Sequence, residues 1–98
     1  MTDRILTMHP DTEKTGVNID LGKYEVIKAA ILNVLEAAPE LQFSELLGAV
    51  RNVVGDEFSG SMSWYVTTVK LDLEARGLIE RVPGKKPQHL RLKMRDAA

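Results

Sequence analysis

The sequence predicts a small α+β domain in which three helices are followed by a two-stranded β-hairpin. In residues 61–82, apolar side chains recur at helical spacing up to Gly77, and a strand follows without a spacer. A glycine at this point can take a positive φ and close the helix. In residues 88–95, leucine and methionine alternate with basic and polar residues, which is typical of a strand with one buried face.

Each of the three helices has a start signal. Asp20 is expected to cap the first helix, which Pro39 ends, and Ser44 is expected to cap the second. The third helix begins after Ser61 or Ser63. The apolar residues that recur at helical spacing are Tyr24, Ile27, Ile31, Val34 and Leu35 in the first helix, Leu46, Leu47, Val50, Val53 and Val54 in the second, and Met62, Tyr65, Val66, Val69 and Leu73 in the third.

The domain is predicted to cover residues 21–95, between an N-terminal arm at 1–20 and a short tail at 96–98. The arm has no sustained period, so it is expected to be irregular or partly disordered. Val17 and Ile19 alternate with polar residues, and an extended segment lying on the domain is the alternative. The connector Leu41–Phe43 can form a short strand, and Pro83–Pro87 is a turn between the hairpin strands.

Composition excludes several classes of protein. The 98 residues contain no cysteine, which excludes disulfides, thiolate metal sites and cysteine nucleophiles. No apolar run approaches the roughly 20 residues that a transmembrane helix needs, and the N-terminus lacks the pattern of a signal peptide. A single soluble domain located in the cytoplasm, with no membrane partner, is therefore expected.

Charge is distributed unevenly along the chain. Residues 1–75 carry 6 Lys+Arg and 12 Asp+Glu, a net charge of −6, whereas residues 76–98 carry 7 and 2, a net charge of +5. The whole chain has a net charge of −1. One end of the molecule is thus expected to be positive, which would orient a docking phosphate backbone.

The order of elements, together with two motifs, resembles the winged helix-turn-helix domain of bacterial transcription regulators. The motifs are Phe43-Ser44-Glu45-Leu46-Leu47, which opens the second helix, and Leu73-Glu74-Ala75-Arg76-Gly77-Leu78-Ile79-Glu80-Arg81, which closes the third. The resemblance covers roughly residues 21–94. The whole chain also resembles a group of small uncharacterised bacterial proteins through its Met-His-Pro opening and the stretch from Trp64 to Arg76.

This resemblance implies binding to duplex DNA and transcriptional regulation, with the third helix in the major groove and the hairpin, or wing, on the backbone. It implies that Ser61, Ser63, Thr67 and Lys70 face the groove. It further implies that Lys85 and Lys86 of the wing, with Arg81 and Arg91, contact phosphates. The alternative for these basic residues is a solvated hairpin surface that resists aggregation.

The outward side of the third helix favours a different partner. Trp64, Thr67 and Leu71 fall almost opposite Val69, the centre of the buried face, and Glu74 joins them. An exposed tryptophan and leucine beside acids suit another protein surface, so Trp64 and Leu71 are candidate interface residues. The alternative function is a protein-interaction or dimerisation module without DNA binding. The structural alternative is that the arm, the hairpin or a second copy of the chain covers these side chains.

The sequence predicts no enzyme, no metal site and no cofactor. His9 and His89 are far apart and lack carboxylates at metal-ligand spacing. The acid pair of Asp72 and Glu74 is expected to lie on a solvated face, since no nucleophile or base accompanies it. Gly55 and Gly60 bracket acids, which would repel a phosphate.

Overall fold

The computed structural model describes residues 3–11 and 13–93. The helices are α1 Leu21–Ala37, α2 Phe43–Val54 and α3 Met62–Ala75, and the strands are β1 Arg4–Leu6, β2 Asn18–Asp20, β3 Leu41–Gln42, β4 Ile79–Arg81 and β5 His89–Leu92. The α+β class and the order of three helices followed by a hairpin are confirmed for these residues. The predicted strand end at Met94 and Arg95, and the tail at 96–98, lie outside the described residues.

The helix ends follow the capping chemistry of the sequence, with one correction. Asp20 Oδ2 accepts the backbone N–H of Lys23 at 2.9 Å, as predicted for the cap of α1. The expected cap of α2 at Ser44 is wrong, because the helix already begins at Phe43. There the Glu45 carboxylate reaches back to accept the N–H of Gln42 at 3.1 Å, so a first-turn carboxylate does the capping.

Helix α3 begins and ends where the sequence predicts. Ser61 Oγ accepts the backbone N–H of Trp64 at its start. At its end Gly77 has a φ of 76°, and the N–H of Leu78 donates to the Leu73 carbonyl at 2.9 Å. Three residues, 76–78, separate the end of α3 from β4, and the strand begins one residue later than predicted. This short passage fixes the hairpin against the C-terminal end of α3.

Two antiparallel sheets frame the helices. The three-stranded sheet has the order β3-β5-β4, with Leu41 opposite Leu90 and Ile79 opposite Leu92. The predicted strand at the connector therefore pairs with the hairpin. The second sheet is a ribbon of β1 and β2, with Ile5 opposite Ile19.

The N-terminal segment is more ordered than its irregular sequence predicts. The ribbon of β1 and β2 continues through a hydrogen bond from the Thr7 N–H to the Val17 carbonyl at 2.8 Å. Ile19 is buried in the core, so the alternative of an extended segment lying on the domain is the one observed. The alternation at 17–20 is too short to distinguish this from disorder by sequence alone.

One hydrophobic core lies between the three helices and the inner faces of β2, β4 and β5. Its buried members are Ile19, Tyr24, Ile27, Ala30, Ile31, Leu35, Leu46, Val50, Val66, Val69, Leu73, Ile79 and Leu90. Val53, predicted on the buried side of α2, is instead 60% exposed in the last turn of that helix. Periodicity predicts which face of a helix is apolar, but not how far the packing partners extend. No helix in the described part of the chain is long and apolar enough to cross a membrane.

Candidate nucleic-acid interface

The N-terminal half of α3 presents small hydroxyl residues to solvent. Ser61, Ser63 and Thr67 are all exposed, as the sequence predicts. Ser61 Oγ and Ser63 Oγ are 3.4 Å apart, and Ser61 also caps the helix. These hydroxyls can donate to or accept from phosphate oxygens and base edges.

Lys70 does not face outward, and its predicted groove-facing position is wrong. Lys70 is only 4% exposed, and its Nζ donates a hydrogen bond to Gln88 Oε1 at 2.9 Å. Nζ also lies 3.1 Å from Oε2 of Glu74, as an ion pair without hydrogen-bond alignment. Burial lowers the pKa of Lys70, and the neighbouring Glu74 carboxylate partly opposes this shift. Lys70 therefore joins α3 to the hairpin and is not free to contact a ligand.

Glu74 is the acidic centre of this junction. It was expected on a solvated face, but its side chain is only 7% exposed. Arg81 of β4 donates from Nε to its Oε1 at 2.6 Å, while half of the Arg81 side chain stays exposed. The predicted phosphate contact by Arg81 would therefore share this guanidinium with Glu74.

The hairpin turn carries accessible positive charge near the candidate interface. Lys85 is exposed and lies 3.0 Å from Glu40, and Lys86 is exposed without an ion pair in residues 3–11 and 13–93. Arg91 pairs with Glu80 at 2.7 Å. Exposed pairs of this kind are worth about 0–1 kcal/mol, so a phosphate can replace the acidic partner at low cost.

Trp64 and Leu71 differ in exposure, although both were predicted to lie on the outward face. Trp64 is 46% exposed and packs edge-on against Tyr65. Leu71 is half-buried and lies beside Met8 and Val17 of the N-terminal segment. Of the three expected covers, the N-terminal segment therefore lies beside Leu71, and cover of Trp64 by a second copy stays a prediction.

The least expected feature of the structure is the buried carboxylate of Asp72, which was predicted to be solvated. It is fully buried and accepts hydrogen bonds from the Met8 N–H at 2.8 Å, from Arg76 Nε and from the Tyr24 hydroxyl. Burial and the hydrogen bond to Asp72 raise the pKa of Tyr24 to about 12, and Asp72 also raises the pKa of Arg76. The i, i+4 spacing of Asp72 and Arg76 is the one sequence signal for this cluster.

The described residues contain no group of three or more potential metal ligands. His9 Nδ1 accepts the N–H of Asp11, and His89 Nδ1 lies 2.7 Å from the Pro87 carbonyl. Both histidines thus have local backbone partners. That the chain lacks metal, cofactor and enzymatic activity stays a prediction.

Comparison with known proteins gives a family and no activity. The chain has no significant match among curated proteins. A family model matches residues 4–90, which include all three helices, the β1–β2 ribbon and the hairpin up to Leu90. The chain belongs to this family, DUF6958, a family of unknown function.

Proposed function

We propose that the chain is a winged helix-turn-helix domain that binds duplex DNA and regulates transcription. The proposed fold is supported by the sheet order β3-β5-β4, in which the connector before α2 pairs with the second hairpin strand. Helices α2 and α3 then form the helix-turn-helix pair, and the turn between β4 and β5 forms the wing.

One observation carries the proposed DNA-binding surface. The hydrogen bond between Lys70 and Gln88 brings the hairpin against one flank of α3. Ser63 and Thr67 are seven and three residues before Lys70 and share this flank. The exposed hydroxyls of α3 and the basic turn at Lys85 and Lys86 therefore border one continuous surface, which suits a groove and its flanking phosphates.

The test is fluorescence anisotropy of labelled duplex DNA across a salt series. If Arg81, Lys85, Lys86 and Arg91 each neutralise a phosphate, log affinity should fall with log salt at a slope of roughly −3 to −4. The double variant Lys85→Glu/Lys86→Glu should bind more weakly and show a smaller slope. Its matched control, Arg51→Glu/Lys93→Glu, changes the net charge equally, away from the hairpin turn.

Binding that does not respond to salt, or an equal loss of affinity in both double variants, would contradict the proposed surface. Equal loss would mean that only net charge matters. No binding to any duplex at low salt would rule out the DNA function itself.

A protein-interaction module is the second candidate, and a specific observation favours it. Trp64 is exposed on α3, and Leu6, Met8 and Val17 of the N-terminal segment are also exposed. Met8 and Val17 lie beside Leu71, one turn of α3 beyond Thr67. Exposed apolar groups concentrated in this way are typical of surfaces that bind other proteins.

A further inference from the structure

The N-terminal arm, defined here as residues 3–11 and 13–20, lies along the C-terminal half of α3. Its residues Thr7–His9 and Thr15–Val17 face Thr68 and Leu71. Farther along, His9–Asp11 and Lys14 border a concave surface with Glu74 and Arg81. The arm therefore forms a wall beside the last two turns of the helix that is proposed to enter DNA.

A helix with this wall attached is too wide for the major groove. The groove of B-DNA is about 12 Å wide, and an α-helix with its side chains is about 10–12 Å in diameter. No space remains for a second segment on the flank of the helix. With the arm in place, only the first turns of α3, up to about Thr67, can enter the groove.

The charge of the arm also opposes a phosphate backbone at this position. Asp11 and Glu13 are exposed on the segment that approaches Arg81, and Lys14 is the only lysine or arginine among residues 9–11 and 13–14. Displacing the arm removes these carboxylates from the vicinity of Arg81.

The outer part of the arm, residues 7–11 and 13–17, has few contacts with the rest of the domain, whereas β1 and β2 pair with each other and Ile19 is buried in the core. The Met8 N–H donates to Asp72 Oδ1 at 2.8 Å, and Thr7 and Val17 bond to each other through the Thr7 hydroxyl. Gly16 fits closely, since a Cβ there would lie 1.7 Å from the Thr7 carbonyl oxygen. Segments with few buried contacts open locally at low free-energy cost.

We propose that the outer part of the arm, residues 7–11 and 13–17, is an intramolecular strap that competes with DNA for the outer surface of α3, so that its release strengthens binding. This inference rests on the proposed DNA function. The hydrogen bond between Met8 and Asp72 is its latch, because it joins the arm to the helix at the point where the arm begins to cover it. The apparent affinity is then set by the fraction of molecules in which the strap is open.

The test compares Met8→Pro with Met8→Ala by DNA anisotropy at one salt concentration. Both substitutions remove the exposed methionine side chain, but only proline removes the N–H that Asp72 accepts. Loss of a hydrogen bond to a charged group should raise the equilibrium constant for opening the strap by about a factor of ten or more. Met8→Pro should therefore bind DNA about tenfold more tightly than Met8→Ala. Amide exchange at Val17, whose N–H bonds to Thr7, reports whether the arm has opened.

Gly16→Ala provides a second route, because it disturbs the arm without altering Asp72 or its partners in α1 and α3. It should also accelerate exchange at Val17 and tighten binding. Unchanged or weaker binding by both variants, with faster exchange, would overturn the strap while leaving DNA binding intact. Slow exchange in both variants would overturn the assignment of these contacts as the latch. Failure of every variant to bind DNA would overturn both proposals.

Discussion

Asp72 joins three separate parts of the chain through one carboxylate. It accepts from the backbone of the arm, from Tyr24 on α1 and from Arg76 one turn later on α3. A buried carboxylate is tolerated only when its oxygens are paired and hydrogen-bonded, and these partners meet that condition. This structural role accounts for an acid in the last turn of α3.

We expect Asp72→Asn to lower the free energy of unfolding by about 3 kcal/mol. The change preserves volume but leaves Arg76 without its charged partner and replaces an acceptor with a donor. Urea unfolding followed by circular dichroism should show a lower midpoint with an unchanged slope. Asp56→Asn, at an exposed loop position, is the control and should leave the midpoint unchanged. A midpoint equal to the wild-type value for Asp72→Asn would contradict the inferred role.

The pKa of Tyr24 makes stability depend on pH in the alkaline range. Burial and Asp72 raise it from 10.0 to about 12, so the folded state retains a proton that the unfolded state loses. The resulting stabilisation is complete below pH 10 and is lost as pH rises towards 12. Over these two pH units, the free energy of unfolding falls by at most about 3 kcal/mol through Tyr24.

In Tyr24→Phe, the free energy of unfolding should therefore decrease less between pH 10 and 12 than in the wild type. Chemical denaturation at several pH values measures this slope. Tyr65→Phe is the control, because it leaves the hydrogen bond between Tyr24 and Asp72 intact and should keep the wild-type slope. Equal slopes for the wild type and Tyr24→Phe would contradict the assigned pKa.

At the scale of elements, replacing glycine by alanine should have opposite effects on stability at two positions with different surroundings. A Cβ at Gly16 would collide with the Thr7 backbone, whereas a Cβ at Gly48 in α2 meets no atom within 4 Å. Gly16→Ala should lower the free energy of unfolding by about 1–3 kcal/mol through steric strain. Gly48→Ala should raise it by about 0.5–1 kcal/mol, because alanine restricts the unfolded chain and favours helix. Thermal unfolding of both variants tests this, and a shared sign would contradict the arm packing.

The elements differ in how well the sequence predicts them. Periodic stripes predict the three helices and the hairpin, because packing on one core imposes the period of each element. The same pattern places Lys70, Asp72 and Glu74 in solvent, since charged residues on a helix are rarely buried. Their burial depends on partners at Met8, Tyr24 and Gln88 that are distant in sequence, and one sequence cannot reveal such pairing.

At the scale of the whole molecule, the chain is compact, and its exposed apolar groups are unevenly placed. The Cα radius of gyration is 13.3 Å, close to the value of about 13 Å for a compact domain of this length. A copy packed through α3 and the arm would bury Trp64 together with Leu6, Met8 and Val17. This arrangement is the most direct form of the second candidate function.

Self-association through α3 should appear as a mass that rises with concentration in sedimentation equilibrium. Trp64→Ala should then sediment as a monomer, because large aromatic side chains dominate the energy of such interfaces. Val53→Ala removes an exposed apolar residue of α2 and should leave association unchanged. A wild-type protein that stays monomeric, with Trp64 accessible to an aqueous quencher, would exclude this self-interface.

The two links between α3 and the hairpin, from Lys70 to Gln88 and from Arg81 to Glu74, have a geometric consequence. They hold the helix and the basic turn at a fixed distance from each other. A duplex that engages both must present its groove and its backbone at that same spacing. Groove width varies with base sequence. A helix and wing held at a fixed distance would therefore select among DNA sequences by their shape, even at base pairs that the protein does not contact.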